Sequence, residues 1–393
     1  MPSRRAFLSG VGAVTITATA GCLDGATPYY AGQDDPDTSW WPQPTFDRYG
    51  TCYNPQSVGP TDGVSERWSV EISSPSARPV VADGTALLPT ADGVVAVSAA
   101  TGDEQWRERG DDDDPVLWPR DVLVHDGTVY VAVIGETGIY ALDLETGERR
   151  WTFSEPDHGV QTLLIEPRDG YPMLFAGAHD TVYGLDPETG ERRWRREVFG
   201  EVMGLVLGIP ELLVATQGGE LYALSRDDGK GYWRRNFHGM CTALGTTTWG
   251  GPYVSFFGGP TYRLDDYGKI EWRADSYTRG SFVLTGDTIF TAGHRLQARK
   301  SSGGDERWTA GETTDCGPAA AGETVYAASD TAVTAYRFDG GTGVGPLRTS
   351  AKRWSHEVEG RPAKGIAVAD GAVFVLTEGG NETSSMAYAL ESA

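Results

Sequence analysis

Apolar and polar residues alternate along this chain in short runs bounded by Gly, Asp and Thr, and no long helical period competes with them. Runs such as Asp126-Gly-Thr-Val-Tyr-Val-Ala132, Gly322-Glu-Thr-Val-Tyr-Ala-Ala328 and Asp370-Gly-Ala-Val-Phe-Val-Leu376 open on a turn signal. They continue in β-branched and aromatic residues, so they predict buried strands. A second pattern follows runs of this kind. Ala141-Leu-Asp-Leu-Glu-Thr-Gly-Glu-Arg-Arg-Trp151 returns nearly unchanged as Gly184-Leu-Asp-Pro-Glu-Thr-Gly-Glu-Arg-Arg-Trp194. Looser copies are Ala96…Gly102…Trp106, Ala223…Gly229…Trp233 and Ala298…Gly304…Trp308, while Tyr262…Gly268…Trp272 changes only the first position. Each copy reads as strand, tight turn, strand. The Gly supplies the positive φ of a short hairpin, and the Trp opens the next strand. The small first residue leaves room for a large ring, from the same unit or from its neighbour.

The repeat tryptophans are Trp68, Trp106, Trp151, Trp194, Trp233, Trp272, Trp308 and Trp354, spaced 36 to 46 residues apart. A period of that size corresponds to one four-stranded propeller blade. The last unit, Ala387-Tyr-Ala-Leu-Glu391, lacks a strand to carry its Trp, and Trp68 in Ser65-Glu-Arg-Trp-Ser-Val70 has no blade in front of it. The two fit each other. The expected fold is an all-β, eight-bladed β-propeller whose last blade is closed by the N-terminal strand, leaving no blade edge open. A seven-bladed ring is the competing arrangement.

The pattern A-x-D-x-x-T-G-x-x-x-W resembles the tryptophan-docking repeat of pyrroloquinoline-quinone-type propellers, over roughly residues 64 to 393. That superfamily includes quinoprotein alcohol dehydrogenases and the BamB-like outer-membrane assembly lipoproteins. The resemblance specifies fold far more sharply than function.

Ahead of the repeats, Ser3-Arg-Arg-Ala-Phe-Leu8 resembles a twin-arginine export signal centred on Arg4 and Arg5. A weakly apolar run follows, and Ala20-Gly-Cys22 resembles a lipoprotein cleavage site. An ordinary signal peptide cut nearby is the alternative. The apolar run is too short and too polar to span a membrane. The expected division is a signal over residues 1–22, a tether and packing arm over 23–62, and the propeller over 63–393. Lipidated Cys22 would anchor the exported protein to the cell membrane. Trp40, Trp41 and the stretch Tyr49 to Tyr53 are too aromatic for a plain linker and are expected to pack on one face of the ring.

The formal net charge is −22, and only five of the 33 basic residues are Lys. Acidic excess of this kind suits molar salt, where self-repulsion is screened. With the export signal, it resembles the lipoproteins secreted by haloarchaea. It argues against nucleic acid as a partner. Cys22 aside, Cys52, Cys241 and Cys316 leave an odd count, compatible with one disulfide in which Cys52 reaches one of the others.

Candidate chemistry is sparse. Related quinoprotein enzymes hold the quinone in the channel between a Trp and adjacent cysteines, with calcium and an Asp base. This chain has no adjacent Cys pair and no C-x-x-C-H, although Trp118 and Trp249 are extra tryptophans that could floor a flat ligand. His158, Met203, His238, Met240, Cys241 and Cys316 fall near the starts of innermost strands without recognisable ligand spacing. Asp111-Asp-Asp-Asp114 lacks the alternation of a calcium loop. No nucleophile–base set, phosphate loop or G-x-S-x-G is present. No catalytic residue, metal or cofactor is assigned. Asn381-Glu-Thr383 is a glycosylation acceptor, and Gly341 to Ser350 is an insertion expected to protrude as a flexible loop.

One charge pattern stands against the acidic background. Arg78, Arg120, Arg279, Arg361 and Lys364 are all read as preceding innermost strands, in connectors from the previous Trp strand that share one face and surround the channel. Together they would form an anion-attracting channel mouth for a ligand or partner. The expected function is therefore a non-catalytic binding or protein-interaction scaffold at the cell surface, with an envelope or surface protein as partner. The alternative is a channel-site solute-binding or quinone-dependent redox protein.

Overall fold

The structure, a computed structural model, describes residues 39–393 except 110–117, 136–137, 157, 248–249, 314–315, 345–346, 350 and 382. Arg4, Arg5, Cys22, the Asp111–Asp114 run and Trp249 lie outside the described residues. Eight antiparallel four-stranded sheets follow one another around a ring, one of them carrying a further parallel strand on its inner edge. In chain order the blades span residues 80–108, 119–153, 162–197, 202–236, 241–274, 283–312 and 319–357, and the eighth is 361–391 completed by Ser65–Ile72. The closing strand pairs antiparallel with Ser385–Glu391, placing Trp68 opposite Ala389. Arg67 fastens the seam, with Nε 2.8 Å from Glu391 and Nη1 3.0 Å from Asp370. The eight-bladed arrangement holds and the seven-bladed one does not.

The repeat explains how the blades lock together. Every repeat Trp donates its indole N–H to a carbonyl beyond its own blade. The acceptors are Ala99 for Trp68, Leu144 for Trp106, Pro187 for Trp151 and Arg226 for Trp194, at 2.8 to 3.1 Å. Asp266, Ser301, Phe338 and Pro60 serve Trp233, Trp272, Trp308 and Trp354 at 2.8 to 2.9 Å. Seven of these rings, all but that of Trp354, lie on the turn glycine of the next blade. A Cβ on Gly190, which has φ +73°, would stand 2.6 Å from the Trp151 ring. The small residue at the first position faces the Trp of its own blade across the strand pair, as Gly184 faces Trp194. A Cβ there would meet the indole at 2.3 Å. In blade five the residue opposite Trp272 is Arg263 rather than Tyr262. Buried apolar clusters fill the spaces between successive blades. Burying each Trp in this way contributes on the order of 3 kcal/mol.

One expectation is revised. The insertion at 341–350 contains a small hairpin, Thr342–Val344 paired with Leu347–Thr349, in place of an unpaired loop. The arm packs at one end of the ring, against the late residues of the innermost strands, with Trp41 and Cys52 fully buried and Phe46 nearly so. Asn381 is exposed in the last loop of blade eight.

Candidate functional site

In each blade the innermost strand begins where the connector from the preceding blade arrives, so all eight beginnings share one face, the mouth. The opposite ends share the other. The inner edge of an innermost strand has unpaired N–H groups that face the channel. The arm satisfies them in turn. Trp41 exchanges hydrogen bonds with Val81 of blade one, and the carbonyl of Pro42 accepts from Val124 of blade two. The carbonyls of Arg48, Tyr49, Thr51 and Cys52 accept from Leu207, Thr246, Leu284 and Ala320 of blades four to seven. Tyr53–Asn54 then adds a parallel strand to Ala319–Ala321. Asp47 holds the turn of the arm by accepting the backbone N–H of Tyr49 and Thr51. The channel is closed at this end by the protein's own chain.

Arg78 closes it further. It lies in the connector that leads into blade one and is 4% exposed, so it is not part of a cationic rim. Its guanidinium donates to Pro44 O at 2.6 Å, Cys52 Sγ at 3.1 Å and Ser281 Oγ at 2.9 Å. Gly317 and Gly365 give it room: a Cβ on Gly365 would stand 1.9 Å from Arg78 Nε, and one on Gly317 2.4 Å from Nη2. One side chain thus ties the arm to blades one and six and packs on blades seven and eight. Sequence spacing placed Arg78 at the correct end of its strand. It carried no sign that the side chain points to the axis, although the glycines after Cys316 and Lys364 were a signal.

The other four cations separate. Arg120 is exposed and donates to Gln161 Oε1 at 3.0 Å. Arg361 pairs with Asp330 at 3.2 Å, and Lys364 lies 3.6 Å from Glu378. Arg279 lies over two rings, 4.7 Å from the Phe257 centroid and 5.9 Å from Tyr277. The anticipated ring of five is therefore replaced by one buried pin, local polar pairs on blades two and eight, and an aromatic-stacked arginine on blade six.

The soft-ligand set is dispersed as well. Among the described residues no three His, Cys, Asp or Glu side chains converge as metal ligands. His158 instead packs on His179, centroids 5.0 Å apart. Cys52, Cys241 and Cys316 are free, buried thiols, so the possible disulfide is not formed. Burial pushes Cys241 up to about 12 and Cys316 to about 11, and raises Cys52 despite the opposing Arg78 charge. A carboxylate that sequence reasoning passed over, Asp121, is buried between blades two and three and accepts the N–H of Val122 and Leu163. Desolvation pushes it up to about 7.

Trp118 stands 44% exposed at the mouth, on the same face as Phe199, Met203, Met240 and Phe257. On the other face a cavity of about 720 Å³ lies between the arm and blades two and three, lined by Trp40, Arg168, Arg193 and several carboxylates. Arg168 and Arg193 are each tied to a carboxylate there, Glu166 and Asp186.

A closed ring of eight Trp-docked, four-stranded blades defines a β-propeller. The family model described as outer membrane protein assembly factor BamB matches residues 57–200 and 178–378, and the chain belongs to that family. No curated protein matches it. Among solved structures, BamB from Moraxella catarrhalis superposes with a TM-score of 0.65 at 14% identity, covering 84% of this chain and 99% of that one. The computationally designed Ika8 protein gives 0.68 at 13% identity, covering 82% and 99%. Quinohemoprotein alcohol dehydrogenase from Comamonas testosteroni gives 0.65 at 15% identity, covering 90% and 80%. At such identities these likenesses establish the fold alone.

Proposed function

We propose that this protein is a non-catalytic binding scaffold, exported and held at the cell membrane by a lipid on Cys22, that presents its mouth face to an envelope or surface protein. One observation carries the reading. The channel axis is occupied by the arm and by Arg78, while the mouth connectors leave large aromatic and Met side chains in solvent. Rigid blades would hold those connectors ready for a partner, so little ordering entropy is lost on docking. The matching family is named for outer-membrane assembly, which favours a protein partner over a small substrate. The net charge of −22 favours work at high ionic strength.

The dehydrogenase-like propellers raise the question of a quinone in the channel. The residues here do not fit one. The cysteines are separate and buried, Trp118 is at the mouth, and the Arg78 guanidinium fills the axial space against Gly317 and Gly365.

Affinity capture from membranes at native salt, read by mass spectrometry, tests the scaffold. A stoichiometric protein partner is expected, and its absence would refute the reading. Cys22→Ala should release the protein from the membrane with the lipid mass lost. A variant that stays bound with unchanged mass would remove the anchor from the proposal.

A further inference from the structure

Residues 229–264 contain no Asp or Glu, the longest such stretch in a chain that holds 55 of them. Lys230, Arg234, Arg235, His238 and Arg263 fall within it. The stretch builds the outer strand of blade four, Gly231–Asn236, and runs into the outer hairpin of blade five, Thr261–Leu264 with Ile270–Ala274. Between these two elements lies a cavity of about 540 Å³. Its lining is basic in Arg235, His238 and Lys269, and apolar in Phe237, Tyr262 and Ile270. No carboxylate lines it. The cavity at the arm face has several, and the other cavity at this same blade junction has Glu211 and Asp266.

The acids of the flanking segments are engaged elsewhere. Asp265 accepts the backbone N–H of Tyr267 and Lys269, and Glu271 pairs with Arg263 at 3.0 Å. Glu220 holds Arg234 at 2.7 Å and Asn236 at 2.6 Å. Among the described residues no carboxylate pairs with the side chain of Arg235 or Lys269. Arg235 Nε donates to Gly268 O at 3.0 Å, which fixes the guanidinium and leaves its two terminal nitrogens for a ligand. The Tyr262 ring is held by Phe237 and Phe256, with centroids 5.1 and 6.0 Å away.

The repeat supplies its own control. At the junction of blades one and two, Glu108 stands two residues after Trp106, as Arg235 does after Trp233. Arg149 stands two residues after Gly147, as Ile270 does after Gly268. Tyr140 and Tyr262 each precede the residue opposite their blade's Trp. In that first junction Arg149 pairs with Glu108 at 2.5 Å and covers Tyr140, 4.3 Å from the ring centroid. The junction thus neutralises itself. Between blades four and five Arg235 replaces the acid and Ile270 replaces the covering arginine, so the charge is uncompensated and Tyr262 borders the cavity.

We propose that this groove binds a small organic anion, a carboxylate or phosphate head on a ring or other apolar body. The head would accept from Arg235 and Lys269, with His238 as a further polar contact, and the body would lie against Tyr262 and Ile270. The volume suits a ligand of that size. The net charge of −22 repels anions at long range, but salt screens that repulsion far more than it weakens a contact at hydrogen-bond distance. The site goes beyond the scaffold reading and stands without it.

Isothermal titration of the intact protein with benzoate and with phenyl phosphate, at one fixed ionic strength, tests the site. At least one of them should bind at one site per chain, and the tighter of the two distinguishes a carboxylate from a phosphate head. Arg235→Gln and Lys269→Gln should each weaken that binding roughly tenfold. Ile270→Glu gives the groove a carboxylate of its own and should abolish binding. Arg307→Gln, on the outer strand of blade six, should leave it unchanged. Arg235, Lys269 and Ile270 are all exposed, and a thermal melt checks that each variant is folded. No binding of either anion, equal binding of neutral benzamide or of inorganic phosphate, or binding that none of the groove variants alters overturns the proposal. So does an Asp- and Glu-rich peptide that binds through Arg235 where neither small anion does, since the groove would then belong to a protein segment.

Discussion

The junction between blades three and four and the junction between blades seven and eight use the same side chain in unequal circumstances. Trp194 donates to Arg226, 32 residues ahead, and its ring lies on Gly229. Trp354 donates to Pro60, which is 294 residues away in the arm. The contact geometry is nearly equal, at 2.9 and 2.8 Å. Chain entropy is not. Closing the longer loop costs about 2 kcal/mol more by the logarithmic dependence on length. The ring thus has seven inter-blade junctions within the repeat array and one seam where the arm and closing strand supply the missing turn. What makes the seam hold is the pooling of the Trp354–Pro60 contact, the Ser65–Ile72 pairing, Arg67 and the arm's bonds to the inner strands.

The largest effect should come from removing residues 39–72, which deletes the arm and the closing strand together. No cooperative thermal transition is expected. A sharp transition near the wild-type temperature would mean that the seam is dispensable. Next, Trp354→Ala and Trp194→Ala should each cost about 3–5 kcal/mol in urea unfolding, from cavity and lost transfer energy. They should differ in hydrogen exchange. The Trp354 variant should expose residues 361–391 and 65–72 first, whereas the Trp194 variant should not, and identical patterns would erase the distinction.

Arg78→Leu should cost about 2–4 kcal/mol, since Pro44 O and Ser281 Oγ lose a buried charged donor. It should also open the arm end of the channel. Cys52, protected from alkylating reagents in the native wild type, should become reactive before Cys241, which mass spectrometry of labelled peptides would reveal.

Asp121 tests whether a junction in the body of the ring also responds to pH. Its folded-state value of about 7 lies above the usual carboxylate range, so the folded state holds the proton more tightly than the unfolded chain does. The associated stability is present in acid, begins to fall above the unfolded value near 4, and is lost as pH passes about 7. Asp121→Asn should flatten that slope while lowering stability by about 1 kcal/mol, because its amide offers one acceptor to two N–H donors. A slope unchanged between pH 5 and 8 would assign the titration elsewhere. The smallest effect is expected at Arg361→Gln, whose exposed pair with Asp330 should be worth no more than about 1 kcal/mol.

The fold was largely legible because it is written in a period. Turn glycine and tryptophan recur at fixed offsets, and a blade cannot bury its faces without neighbours, so blade count and closure follow. The site was legible only in part. Position along a strand told which residues begin at the mouth, and all five cations do begin there. Whether Arg78 points to the axis and Arg279 to solvent depends on what faces them. Ser281, Gly317 and Gly365 are remote in sequence from Arg78, and Phe257 is separated from Arg279 by a whole strand pair.

The sequence by itself determined the eight sheets, their order, and the union of the Ser65–Ile72 strand with Ser385–Glu391, because local hydrogen-bonding period and turn chemistry suffice for that. Only the tertiary structure decided that the arm would close one end of the ring, that the thiols would stay apart, and that Arg78 would turn to the axis. Those outcomes depend on distances between residues hundreds of positions apart, where burial and unpaired backbone donors, rather than local propensity, select the partner.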